Sequence, residues 1–333
     1  MRGLRSVAAI GVAAAILCGA PVPLQAYLRL SASVRGQTTP VAWGRMPVRW
    51  FASGTGIAGT SAADLQAAVN RAFGAWEAVP TASISFQFVG FTGAAPSDED
   101  GLSVFGFENH PDEDRTLAST SFTVDTVTGE ILESDVFFNT AFPWSASGAA
   151  TAFDLQSIAT HEIGHFLGLG HSALGETELQ AGGGRRVLAT AAVMFPIAFG
   201  RGMAADRTLQ PDDIAGVSDT YPDGTFREST GSLQGRVRLG GRGVFGAHVA
   251  AFNPRTGALV GGFALGREGE FVIAGLSPGV YIVRVEPLDD VATDSFFDDP
   301  GLDTNFRATL YDHLIAVPAG GASPSFDVAV QPK

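Results

Sequence analysis

Residues 161–171 read HEIGHFLGLGH and put three of the chain's six histidines, with one glutamate, into a single short run. On an α-helix, residues i and i+4 share a face, so His161 and His165 direct two imidazoles at one point. Glu162 stands one residue round from that face, where it reaches a water beside the point rather than the point itself. A catalytic zinc takes three protein ligands and keeps one position open. His171, six residues past His165, is out of reach if the helix continues. Gly168 resolves this, because glycine adopts the left-handed conformation that ends a helix and turns the chain back. Ile163, Phe166, Leu167 and Leu169 then face the core. The expectation is one zinc ion held by His161, His165 and His171, with Glu162 as the proton carrier. Buried histidines without a metal would crowd unsatisfied polar groups together.

The elements that must position this run are legible from periodicity. VRWFAS (48–53) reads as a strand and SAADLQAAVNRAFGAWEAV (61–79) as a helix with Ser61 as its cap. Leu65, Val69, Phe73 and Trp76 recur at helical spacing and form its core face. SISFQFVGF (83–91) alternates like a strand, and LSVFGF, TLASTSFTV and ESDVFF supply three more extended runs. DLQSIATHEIGHFLG (154–168) has the helical pattern. QPDDIAGVSDTY (210–221) is a second candidate helix, with Pro211 in the first turn and Asp212 and Asp213 placed to favour the helix dipole. This mixture predicts one α+β domain over residues 27–222.

HEIGHFLGLGH resembles the signature of the metzincin zinc metallopeptidases, whose second hallmark is a methionine-containing turn downstream. AAVMFP (191–196) is similar to that turn, with Met194 as its methionine. ATHEIGHFLGLGHS, AVMFP and LQPDDIAGVSDTYP together look like the matrixin branch, over about residues 40–222. The resemblance implies a twisted, mostly parallel sheet with helices and an edge strand near Leu117–Phe122 that pairs with an extended peptide. It also implies a substrate pocket walled by Pro196, Ile197 and Phe199, and a bracing role beneath the methionine turn for Asp212 or Asp213. The implied reaction is peptide hydrolysis without a covalent intermediate. Many relatives hold a further structural zinc through upstream histidines; here only His110 lies upstream, and it reads as a loop residue. The carboxylates at 98–100 and 112–114, with Glu133 and Asp135, are candidate oxygen ligands for calcium.

From Gly231 the character changes. QGRVRLGG, FGAHVAAFN, LVGGFALG, GEFVIAGL, GVYIVRVEP and SFDVAV are short strand-like runs parted by turn residues. They predict an all-β sandwich over 231–333, joined by a linker at 223–230. GEFVIAGLSPGVYIVRVEP resembles the carboxypeptidase regulatory-like, prealbumin-type sandwich, a module that would bind substrate or a cell surface or simply stabilise the enzyme. Its His248 and His313 lack ligand partners nearby in sequence and read as structural or surface residues.

Arg2 and Arg5 lead into an apolar stretch from Val7 to Ala20 and then PVPLQA, the order of a secretory signal over residues 1–26 with cleavage after Ala26. The apolar run is too short to span a membrane comfortably. The one cysteine, Cys18, falls inside it, so the processed chain has neither thiolate ligands nor a thiol to block the metal. A formal charge of −13 without any dense basic run argues against a nucleic-acid partner. The expectation is thus a secreted zinc endopeptidase, extracellular, periplasmic or on the cell surface, acting on proteins or peptides. The alternative from another class is a secreted binding or adhesion protein whose β-sandwich acts while the peptidase-like part is scaffold. Zinc chemistry on a non-peptide amide is a third reading.

Overall fold

Ser61 begins the first long helix, α1 (Ala62–Glu77), through a reciprocal cap. Its hydroxyl accepts the Asp64 amide at 3.1 Å while the Asp64 carboxylate accepts the Ser61 amide at 2.9 Å. Leu65, Ala68, Val69, Ala72, Phe73 and Trp76, spaced three and four apart, are all buried. The computed structural model describes residues 8–10, 28–34, 37–180, 185–288 and 301–333. The expected signal segment, with Cys18 and the cleavage point after Ala26, lies outside the described residues apart from Ala8–Ile10.

Helix α1 packs against a seven-stranded sheet. Its strands are β1 (Ala8–Ile10), β2 (Ala42–Trp43), β3 (Val48–Ser53), β4 (Phe86–Thr92), β5 (Val104–Glu108), β6 (Ala118–Val124) and β7 (Glu130–Asn139). The order is β1-β6-β7-β5-β3-β4, with β2 beside β7. The β2–β7, β3–β4, β3–β5 and β5–β7 pairs are parallel, and β6–β7 and β1–β6 are antiparallel. The sheet is therefore mostly parallel, with β6 as the long strand at one side. The short β1 covers only Phe122–Val124 of β6. On that side Ala118–Ser121 have no strand partner among the described residues.

The metal-site helix, α2 (Leu155–Phe166), starts at Asp154, whose carboxylate accepts the Ser157 amide at 2.9 Å. Arg207 also pairs with this buried carboxylate. Burial pushes the Asp154 carboxyl up, but the Arg207 and Ser157 bonds outweigh it and hold the group below its ordinary range. Beneath α2 the rings of Trp50, Phe73, Phe105 and Phe166 meet at centroid separations of 5.1 to 5.6 Å in tilted and edge-on geometry. Trp76 joins the two helices, its indole donating to the Thr160 carbonyl at 2.9 Å.

The chain then makes a hairpin, β8 (Gly175–Leu179) and β9 (Arg185–Thr190), that the hydrophobic pattern does not announce. Its apolar residues do not alternate, with Val187, Leu188 and Ala189 consecutive and Leu179 and Leu188 exposed, so no apolar face marks it. Helix α3 (Pro211–Thr220) follows, with Pro211 and the two aspartates in its first turn. The expected linker contains a helical turn at Phe226–Ser229 whose Phe226 is buried.

Residues 231–333 form two sheets. One contains β10 (Gly231–Leu239), β13 (Glu270–Leu276) and β17 (Phe326–Val330). The other contains β11 (His248–Phe252), β12 (Leu259–Phe263), β14 (Gly279–Glu286), β15 (Thr309–Leu310) and β16 (Ile315–Val317). Val237, Phe271, Ile273 and Val328 from the first share one apolar cluster with Val249, Ala251, Val283 and Val285 from the second. Among the described residues no helix is long and apolar enough to cross a membrane.

Trp76→Ala removes a fully buried ring and the donor to Thr160 together. It is expected to cost about 3–5 kcal/mol of stability, read as a lowered urea midpoint with an unchanged slope.

Candidate metal centre

Helix α2 carries His161 and His165 on one face, with ring centroids 4.8 Å apart. It ends where the sequence requires. Gly168 has φ of +87°, and a Cβ there would stand 2.4 Å from the Val41 carbonyl oxygen, so only glycine fits the turn. The carbonyls left over at the helix end are satisfied from outside. Trp43 donates its indole N–H to Phe166 O at 2.7 Å, the Tyr221 hydroxyl donates to Leu167 O at 2.8 Å, and the Leu30 amide donates to Gly168 O at 2.8 Å. The chain thereby turns back and sets His171 4.7 and 5.4 Å from the other two rings, centroid to centroid.

One ring nitrogen from each of His161, His165 and His171 lies within 4.8 Å of the others. His161 Nδ1 is 2.7 Å from Val193 O, and His165 Nδ1 is 2.8 Å from Leu169 O. A carbonyl only accepts, so each Nδ1 carries the proton and each Nε2 keeps its lone pair. Burial pushes the His161 imidazole pKa down. It pushes His165 further down, with help from the neighbouring His171 and His161, so both are neutral. The Nε2 atoms of His165 and His171 approach to 3.1 Å. Tetrahedral ligands about 2.0–2.1 Å from a zinc ion stand only a little further apart than this. Three converging imidazoles, two of them neutral and braced by carbonyls, fit that ion in donor type and number.

Glu162 is buried beside them, and Thr120 of β6 donates its hydroxyl to Glu162 Oε2 at 2.6 Å. Burial pushes the Glu162 carboxyl up to about 7, against the Thr120 bond, which lowers it. Met194 lies beneath α2. A Cβ on Gly164 would meet its sulfur at 2.1 Å, which makes the glycine of HEIGH a condition for the turn to pack there. Asp213 accepts the amides of Val193 at 2.9 Å, Met194 at 3.1 Å and Gln210 at 2.8 Å. It thus grips the turn whose Val193 carbonyl orients His161. Asp212 faces elsewhere, accepting the Gly261 amide at 2.8 Å and a bond from the Ser172 side chain. Pro196, Ile197 and Phe199 follow Met194 as a half-buried run.

The remaining candidates stand apart from the histidines. Glu133 accepts the amides of Asp100 at 3.2 Å and Gly101 at 2.9 Å, and Asp135 accepts that of Val104 at 2.7 Å. These carboxylates tie the loop before β5 to β7. His110 sits between Glu108 and Glu113 and stacks on Phe137 at 4.1 Å. His248 is buried against Glu286, and His313 is exposed. Sequence reasoning did not single out Thr120, Ser172 or the carbonyls of Leu169 and Val193. Thr120 lay within the expected edge strand; backbone carbonyls leave no mark in a residue pattern.

With this geometry in place, the comparisons with known proteins have a clear meaning. Residues 43–181 match the matrixin family of peptidases. That part of the chain is similar to the matrixin peptidases. Over 70 residues the chain is 43% identical to metalloendoproteinase 1-MMP of Arabidopsis thaliana, covering 21% of this chain and 15% of that protein. Over 84 residues it is 39% identical to metalloendoproteinase 1 of Glycine max, covering 23% and 22%. The chain thus spans less than a quarter of the length of either relative. Among solved structures, the Bacillus anthracis TIE protein aligns over 31% of this chain and 17% of its own at 16% identity, with a TM-score of 0.21. The matrixin match covers α2 and all three histidines but stops before Met194, α3 and the β unit.

Two outcomes are expected. Gly164→Ala drives a methyl into Met194 and should destabilise the chain by about 1–3 kcal/mol while weakening metal uptake, measured by thermal melting with and without zinc. Burial and the adjacent Asp212 push the Asp213 carboxyl up to about 7. A raised acid contributes stability below its unfolded value, near 4, and loses it as pH rises through 7. Asp213→Asn removes that dependence. In chelator, wild type should therefore lose stability relative to the variant between pH 4 and 7, by up to about 1.4 kcal/mol per pH unit. The opposite trend from the lowered histidines is common to both proteins and cancels in the difference.

Proposed function

We propose that the chain is a secreted zinc-dependent endopeptidase with protein or peptide substrates. The observation that carries this reading is the convergence of three imidazoles beside a buried glutamate that a hydroxyl holds in place. The matrixin match over the same residues supports it. His161, His165 and His171 would hold the ion. When bound, zinc supplies Lewis acidity that activates a water and polarises a peptide carbonyl. Glu162 accepts the water's proton at its carboxylate and returns it to the departing amine nitrogen. A carboxyl pushed up to about 7 is matched to both halves of that exchange at neutral pH. Thr120 fixes the carboxylate through its hydroxyl. It belongs to β6, whose Ala118–Ser121 edge offers backbone groups to an extended peptide, so base and substrate share one strand.

The proposed organisation is a leader at 1–26, a peptidase unit at 27–222, a joining segment at 223–230 and a prealbumin-type β-sandwich at 231–333. Pro196, Ile197 and Phe199 are assigned to the wall of the substrate pocket and Met194 to the floor beneath the metal. The intact Glu162 favours a peptidase over an adhesion scaffold, since a scaffold has no use for a buried carboxyl in the helical turn that carries the histidines.

The test is zinc content and cleavage of a mixed peptide library by the purified chain. One zinc per chain is expected, with cleavage abolished by a chelator. Glu162→Gln should retain zinc and lose about 10²–10⁴-fold in kcat. Zinc uptake without any cleavage by wild type would sink the peptidase reading.

A further inference from the structure

Two of the three histidines ride on a rigid helix, and the third does not. His171 follows the Gly168 turn and precedes β8, in a run that belongs to no helix or strand. What grips its neighbours helps to set its place. The Ser172 amide donates to Met194 O at 2.9 Å, which ties the run to the methionine turn. The Ser172 side chain bonds to the buried Asp212, and Asp212 takes its other bond from the Gly261 amide of β12, in the second unit. One carboxylate therefore joins the residue next to His171 to the edge strand of a β-sheet about ninety positions further along the chain.

Other contacts run alongside this bridge. Leu174 and Ala192 flank the histidine run and the methionine turn, and they form an apolar cluster with Ala250 of β11 and Leu259 of β12. Gly261 permits the approach: a Cβ there would stand 3.1 Å from Leu174 Cγ and 2.9 Å from His248 Nε2. Helix α3 serves both units, with Ala215 in the β-unit core and Val217 in the core beneath α2.

We propose that residues 231–333 are a structural part of the metal centre. Asp212 is the positioning residue through which docking of the β unit sets where His171 stands. This rests on the zinc reading of the three histidines, and it adds that the metal centre is complete only with the second unit in place. Losing partners at this distance from a metal typically weakens its binding by about 10–100-fold.

The experiment uses the full chain as wild type, Asp212→Ala, Leu259→Asp and Arg238→Ala. Leu259→Asp places a charge in the apolar contact and leaves the carboxylate bridge chemically intact. Arg238→Ala removes a surface pair with Asp327, away from the contact, and serves as control. Amide hydrogen exchange at residues 172–175 is measured in chelator, and zinc affinity by competition with a coloured chelator. Asp212→Ala and Leu259→Asp should each speed exchange at 172–175 by about tenfold or more and weaken zinc by about 10–100-fold. Exchange across residues 65–76 of α1 should not change, and the control should match wild type throughout. Variants that stay folded and keep wild-type exchange at 172–175 would overturn the proposal. Failure of wild type to take up zinc would remove the metal reading separately, and exchange at 172–175 would still decide whether the β unit holds the His171 run.

Discussion

The site depends on one short stop. Helix α2 must carry two imidazoles on one face and then cease within a turn, because a continuing helix would carry His171 away from them. Gly168 makes the stop sterically possible, and three donors from distant parts of the chain make it energetically acceptable. Trp43, Tyr221 and the Leu30 amide each take one of the carbonyls that a helix end leaves without partners. Buried and unpaired, each would cost about 1–3 kcal/mol. Strand β2, the end of α3 and the segment at 28–30 are thus drawn to the same spot for one reason.

The histidines are then tuned by backbone. Carbonyls at Val193 and Leu169 fix the tautomer of two rings, and burial keeps both neutral. Val193 is in turn fixed by Asp213, so a carboxylate at the start of α3 governs a ring on α2 without touching it. Glu162 receives similar treatment from Thr120, a residue of a different element. His161 and Glu162 are oriented by partners from other elements and His165 by the turn that ends its own helix, and this is how mutually repelling polar atoms are held together in an apolar surround.

Much of this was legible in the residues alone. HEIGHFLGLGH dictates its own local structure, and the apolar spacing of α1 and the alternation of the β runs mark their elements within a few residues. What escaped had no periodic mark. The β8–β9 hairpin sets Val187, Leu188 and Ala189 side by side and leaves Leu179 and Leu188 exposed, so its sequence shows no core face. Asp212 and Asp213 were visible as a pair of first-turn acids, but the pattern does not tell them apart. Adjacent positions on a helix point about 100° apart, so one meets the methionine turn and the other meets Gly261.

Helix α3 also alters what a boundary means in this chain. A cut between residues 222 and 231 looks clean in the sequence, yet Ala215 belongs to the core on the far side of it. Removing the β unit would uncover one flank of that helix and leave the Asp212 carboxylate short of a donor at the same stroke. In evolutionary terms such a module is not freely exchangeable. A replacement would have to bring its own cover for α3 and its own amide for Asp212, so the two halves are constrained to change together.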